Sequence, residues 1–321
     1  MCDEVQKLKS RFGRSRTRNS FLSPKLVVST RDALNRLYSE YEARLDIADP
    51  IQVVRRYNNP RDQEIVAFCA AGLAFGRVSS VLNAIESLLL EIGPSPKEFV
   101  RKFEPSRHGR VIRELGHRWI QGHDLVALLW LLRKMLETTG SIQEFFRLGY
   151  SAEAEDIGTA LDQFSTRVRS FDLNAVYPDA TIRRGVNYFF PRPSDGSACK
   201  RLNLYLRWMV RHDRVDFGVW NQIKRSQLVV PLDTHVIRVG QCLKLTTYRS
   251  PGWNMAKQIT HGLRQFDQSD PVKYDFALCH LGMLSMCGFK EPFGDQNCPL
   301  RGVCRPSVGR RRRSHQPSVR R

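Results

Sequence analysis

The sequence predicts an all-α fold, on three observations. Nearly every ordered stretch carries apolar residues at the helical period of about 3.6. No Asn-Gly or Asp-Gly pair sits between alternating apolar and polar runs, so no hairpin is signalled. The best strand-like run, Leu228-Val-Val-Pro231, is too short to found a sheet.

The elements follow in order. Leu34, Leu37, Tyr38 and Tyr41 mark a helix over 30–44, with Ser29 or Thr30 as its N-cap. The apolar stretch 63–92 predicts two buried helices interrupted near Gly76. Ser95-Pro-Lys-Glu98 opens another, with a capping residue, a proline in the first turn and an acid three residues on. Leu125, Leu128, Leu129 and Leu132 line a helix over 121–138 that Gly140 ends. A more polar amphipathic helix is expected over 152–171. A Pro/Gly/Ser-rich loop at 190–197 then leads into a basic helix over 198–211. Further helices are expected at 234–243 and 253–266.

The chain of 321 residues is 41% hydrophobic and 10% aromatic, enough for a large core and too apolar for global disorder. No stretch approaches the ~20 apolar residues that span a bilayer, and the N-terminus lacks the apolar core of a secretory signal. Integral-membrane and secreted readings are therefore poor, and a cytoplasmic protein with reduced cysteines is expected. Cys69, Cys199 and Cys242 fall in helical patterns as small core residues.

Lys and Arg number 51 against 32 Asp and Glu, a formal charge of +19. Residues 1–19 hold six basic and two acidic side chains, and residues 305–321 hold seven arginines and no acid. Flexible basic tails are thus expected at 1–24 and 305–321, flanking one folded unit at 25–304. Such an excess suits a polyanion, nucleic acid being the commonest.

The most specific string is Pro231-Leu-Asp-Thr-His-Val-Ile-Arg-Val239. Asp233 stands where a helix begins, so its carboxylate serves either as a plain N-cap or as an ionised group held by the helix dipole. Breaking an N-glycosidic bond develops positive charge on the sugar, which a carboxylate beside it stabilises. Upstream, the turn at Gly196 and Ser197 entering a basic helix offers free N–H groups to a phosphate. Downstream lie Cys287 and Cys298-Pro-Leu-Arg-Gly-Val-Cys304.

The 231–239 string resembles the catalytic-aspartate segment of the endonuclease III branch of the HhH-GPD DNA glycosylases. The closing Cys-Pro-Leu-x-x-x-Cys is similar to the end of that branch's iron–sulfur loop, and the resemblance covers 197–304. The chain as a whole resembles an uncharacterised bacterial family related to these glycosylases, through Lys200-Arg-Leu-Asn203 and Arg207-Trp-Met-Val-Arg211. The resemblance implies a two-lobed helical fold with the active site in a cleft between the lobes. It implies a base-excision DNA glycosylase in which Asp233 is catalytic and Lys200 is the Schiff-base nucleophile of an abasic-site lyase. The alternative is a non-catalytic nucleic-acid-binding protein on a degenerate scaffold.

The implied DNA contacts are Gly196, Ser197, Arg201, Arg207, Arg211, His235 and Arg238. The implied partner is damaged duplex DNA, bound by a monomer at the nucleoid. Two departures are plain: the turn before Lys200 has a single glycine, Gly196, and Lys200 and Asp233 stand 33 positions apart, an interval that an insertion around 213–224 would absorb. The cysteine loop at 287–304 implies a [4Fe–4S] cluster on Cys287, Cys298 and Cys304, with Asp295 or Cys279 as the fourth ligand, or else a zinc site or a vestigial loop without metal. Trp208, Trp220 and Trp253 are candidates for stacking on an extruded base or for core packing.

Overall fold

The computed structural model describes residues 24–44, 47–177, 184–284 and 297–304, with only the backbone course for 24–28. The expected basic tails, Pro24 aside, and Cys287 and Asp295 lie outside the described residues. Helix α1 (Pro24–Glu42) buries Leu34, Leu37 and Tyr41, the stripe its period foretold. After a single turn, α2 (Ile51–Val54), comes α3 (Pro60–Leu73), capped by the Asn59 side chain on the Arg61 N–H. Every residue from Glu64 to Leu73 is buried, so α3 is a central rod rather than an amphipathic surface helix. It ends before Gly76, whose φ of +103° no helix tolerates, and α4 (Val78–Ile92) follows.

Pro96 starts α5 (Pro96–Arg101), but the Ser95 side chain makes no cap; the Asp62 carboxylate accepts the Lys97 N–H instead. Next come α6 (Pro105–Ile112) and a two-residue hairpin, β1 (Gly116–His117) antiparallel to β2 (Ile120–Gln121). These are the only paired strands among the described residues. The hairpin has no Gly at its turn; Arg118 itself takes φ +57°. A capping box of Gln121 and Asp124 launches α7 (Gly122–Thr139), and Gly140 in the left-handed region closes it.

Then follow α8 (Ile142–Arg147) and α9 (Gly158–Arg169). The expected start of α9 at 152 is corrected to Gly158, because the Asp156 carboxylate accepts the Gly158 N–H and the Ile157 N–H is drawn to the Gln227 carbonyl. The C-terminal part contains α10 (Arg184–Phe189), α11 (Lys200–Val210), α12 (Thr234–Cys242), α13 (Trp253–Arg264) and α14 (Asp275–Met283). The all-α expectation thus holds for the described residues, whose buried apolar side chains join in one core. No helix among them is long and apolar enough to cross a membrane.

Between α11 and α12 the long interval is ordered. Trp220 from it is buried in the core with its indole N–H on Glu64 Oε1 at 2.7 Å. The extra length therefore makes part of the protein's own interior rather than a surface excursion.

Candidate functional site

Asp233 precedes α12 with extended backbone (φ −109°, ψ 177°), and its Oδ1 accepts the Val236 N–H at 2.8 Å. The N-cap expectation is met, and it fixes the carboxylate. Oδ2 accepts the thiol proton of Cys279, 3.0 Å away on α14. Helices α12 and α14 lie close because Gly282 faces His235: a Cβ at 282 would come within 2.6 Å of the His235 Cβ.

Asp233 opens onto a cleft of about 450 Å³. Lys200, the first residue of α11, lines the same cleft, as do His235, Asp275 and Cys279. Phe75, Val81, Leu204, Ile237 and Phe276 supply an apolar wall. Lys200 makes no hydrogen bond or ion pair among the described residues, yet its ammonium is near enough to favour ionisation of Cys279. Its position is set by Cys199, which sits in the left-handed region (φ 49°, ψ 34°) just before the helix.

Charge in the cleft is poised by burial. Asp275 is fully buried, with Oδ2 on the Arg207 guanidinium at 2.5 Å and no hydrogen-bond partner for Oδ1. Burial pushes its carboxyl up to about 7 against the pull of Arg207, and the charge of Asp233 pushes the same way. Burial and the Asp233 and Asp275 carboxylates drive the Cys279 thiol well above the ordinary cysteine range. Burial lowers the His280 imidazole, whose Nδ1–H donates to the Phe276 carbonyl at 2.8 Å.

The expected DNA contacts divide. Gly196 is exposed, with φ +78° and open space around it, and Ser197 is half-buried with its Oγ accepting the Cys199 N–H. Arg238 is exposed, and His235 lines the cleft with a buried, unpartnered Nδ1. Arg207 and Arg211 are corrected as open phosphate contacts: they are 3% and 2% exposed with their guanidinium groups on buried acids, although Arg207 also lines the cleft. Arg207 pairs with Asp216 and Asp275, and Arg211 with Asp213, Asp216 and Asp270. Their acids come from sequence positions that helical periodicity on α11 does not reveal. Arg201 is half-buried and lies 3.2 Å from the Tyr188 ring centroid while donating to the Tyr188 carbonyl, so little of its charge faces outward.

The cysteines divide as well. Cys69 and Cys199 are buried, and Cys242 is half-buried. Cys298 is buried and Cys304 half-buried at the two ends of a short turn, while Cys287 and Asp295 lie outside the described residues. Among the described residues no three donors converge to hold a metal. Cys279, the other candidate for the fourth ligand, lies on the cleft wall with its thiol donating to Asp233. Trp208 and Trp220 are buried in the core and Trp253 is half-buried, so the first two cannot stack on a base.

Sequence reasoning missed Asp275, Phe75 and Cys279 as cleft residues. Asp275 carried a weak signal, an acid inside the apolar run Tyr274-Asp-Phe-Ala-Leu278. A family described as "Protein of unknown function (DUF2400)" matches residues 49–284. No curated protein and no solved structure matches the chain.

Proposed function

The chain belongs to the DUF2400 family, and from its cleft we propose that it is a DNA glycosylase of the base-excision type with abasic-site lyase activity. The observation that carries the reading is the convergence of Lys200 and Asp233 on one cleft, although they stand 33 positions apart. A carboxylate and an unpaired amine in a half-apolar cleft are what removal of a base from deoxyribose asks for. Asp233, fixed by its capping bond, stabilises positive charge on the sugar as the C1′–N bond breaks. Lys200, once its ammonium has given up a proton, forms a Nζ–C1′ bond, and the electron pair of the old bond leaves with the base. The cleft volume suits one extruded nucleotide, and the lobes on either side of it form the two-lobed HhH-GPD arrangement in this reading. The protein acts as a monomer on damaged duplex DNA at the nucleoid. Cys287, Cys298 and Cys304 hold an iron–sulfur cluster in the same reading, which iron analysis and visible absorption of anaerobically purified protein check.

A panel of lesion-bearing duplexes tests the chemistry with wild type and Asp233→Asn. Asparagine caps a helix as well as aspartate, so the variant keeps its fold. Loss of the charge lowers base release on the order of a hundredfold or more. Equal cleavage by both proteins removes Asp233 from the reaction. Borohydride trapping on abasic-site DNA should yield an adduct that Lys200→Ala lacks.

One observation favours the second reading, a binding protein without catalysis. Both Asp233 oxygens already have donors, the Val236 N–H and the Cys279 thiol, and these draw on the negative charge that catalysis would need. Tight binding of lesion DNA with no base release by wild type is the outcome that selects it.

A further inference from the structure

The hairpin that the sequence did not signal carries an exposed indole beside the cleft. Trp119 is 50% exposed, the largest aromatic side chain so placed among the described residues. It belongs to a cluster: its ring centroid is 3.9 Å from that of Tyr188 and 5.5 Å from that of Phe75. Phe75 in turn packs on Tyr188 at 5.2 Å and on His117 at 4.5 Å, and the His117 Nε2–H donates to the Phe75 carbonyl. The hairpin tip is therefore braced from beneath, not loose.

Phe75 is also a wall of the cleft, so one aromatic surface runs from the space before Lys200 and Asp233 out to Trp119. Cations flank it. Arg118, exposed beside Trp119, lays its guanidinium over Gly76, where a Cβ would stand 3.0 Å from Nη1. Gly76 lines the cleft too, and Arg77 next to it is exposed. Two exposed arginines beside one aromatic face, Arg118 and Arg77, argue for an anionic partner here.

We propose that Trp119, with Arg118 beside it, is a base-stacking platform for an unpaired nucleobase of the DNA strand that enters the cleft. The inference rests on the DNA-processing reading and adds to it the contact that recognises a base left without its partner. Indole stacks on any base face, while the neighbouring guanidinium meets the phosphate, so the platform selects for unstacked bases and not for sequence.

The experiment measures the affinity of the full chain for two labelled duplexes, one fully paired and one with a single unpaired base. Trp119→Ala is expected to weaken binding of the second by about tenfold or more and that of the first by less than about twofold. Trp119→Phe, which keeps an aromatic ring, should recover most of the loss. Trp119→Ala binding the unpaired-base duplex as wild type does, or losing both duplexes equally, overturns the platform. So does a wild-type chain that self-associates through Trp119 while its DNA affinity ignores the substitution. Base release by Asp233→Asn is scored separately: a platform without Asp233-dependent cleavage leaves the inference standing and the catalytic reading fallen, and cleavage that ignores Trp119 in both assays does the reverse.

Discussion

Asp275 shows how one residue couples the cleft to pH. Its ordinary carboxyl value is near 3.9, whereas burial raises it to about 7 in the folded chain. Between those values the folded state keeps a proton that the unfolded state has released. Stability contributed by this group is therefore complete below about pH 4, falls as pH rises towards about 7, and is flat above it. Asp275→Asn should remove that fall, although loss of the Arg207 partner lowers stability at every pH. Urea midpoints of both proteins at about pH 4.5 and about pH 8 check the slope, and parallel curves would refute the assignment. Next to it, the Cys279 thiol bonded to Asp233 has a simpler meaning. It gives the carboxylate a second donor beside the Val236 N–H.

Helix α11 places Lys200 at its start and is clamped further along by buried charge. Arg211 bonds three acids and Arg207 two, and Asp216 is shared between them. The cost of desolvating such a network is met only while every partner is present. Arg211→Met should lower unfolding stability by about 3–5 kcal/mol, because Asp213, Asp216 and Asp270 would be left with an uncompensated charge. Denaturant unfolding measures it; a change under about 1 kcal/mol would show the pair to be solvated.

The elements also show what was legible. α7 and α12 were readable to within a residue because their limits are local: Gly140 ends one and Asp233 caps the other. The six-residue helices α8 and α10 span less than two turns, too few for a period to emerge. The hairpin escaped because Arg118 takes a conformation that glycine usually signals. Asp233 and Lys200 were singled out from their strings, and folding brings both to the wall of one cleft. Arg207 and Arg211 were misread because their fate depends on acids as far away as Asp270 and Asp275, which only folding brings near.

Across the chain, charge divides the labour. The tails at 1–19 and 305–321 carry more than half of the +19, and the body holds many of its arginines in ion pairs. Counterion release depends on cations that meet phosphate, and buried ones do not. Deletion of 305–321 should thus weaken DNA binding and flatten its dependence on salt by several units of slope, with lesion preference unchanged. Affinities over a salt series on matched and lesion duplexes check this; an altered preference would place a reading element in the tail.

The left-handed turn at Cys199 bears on timing. A glycine would take that conformation freely and leave it as freely. Cysteine resists it, but its side chain is anchored, with Sγ 3.6 Å from the Pro191 carbonyl and 3.4 Å from that of Ser197. To leave the turn, the chain must pull a buried sulfur out of the core. The start of α11 consequently has one resting place, and the disorder of the lysine's backbone is surrendered when the protein folds. If the proposed reaction holds, an arriving DNA strand would spend none of its binding energy on ordering that turn.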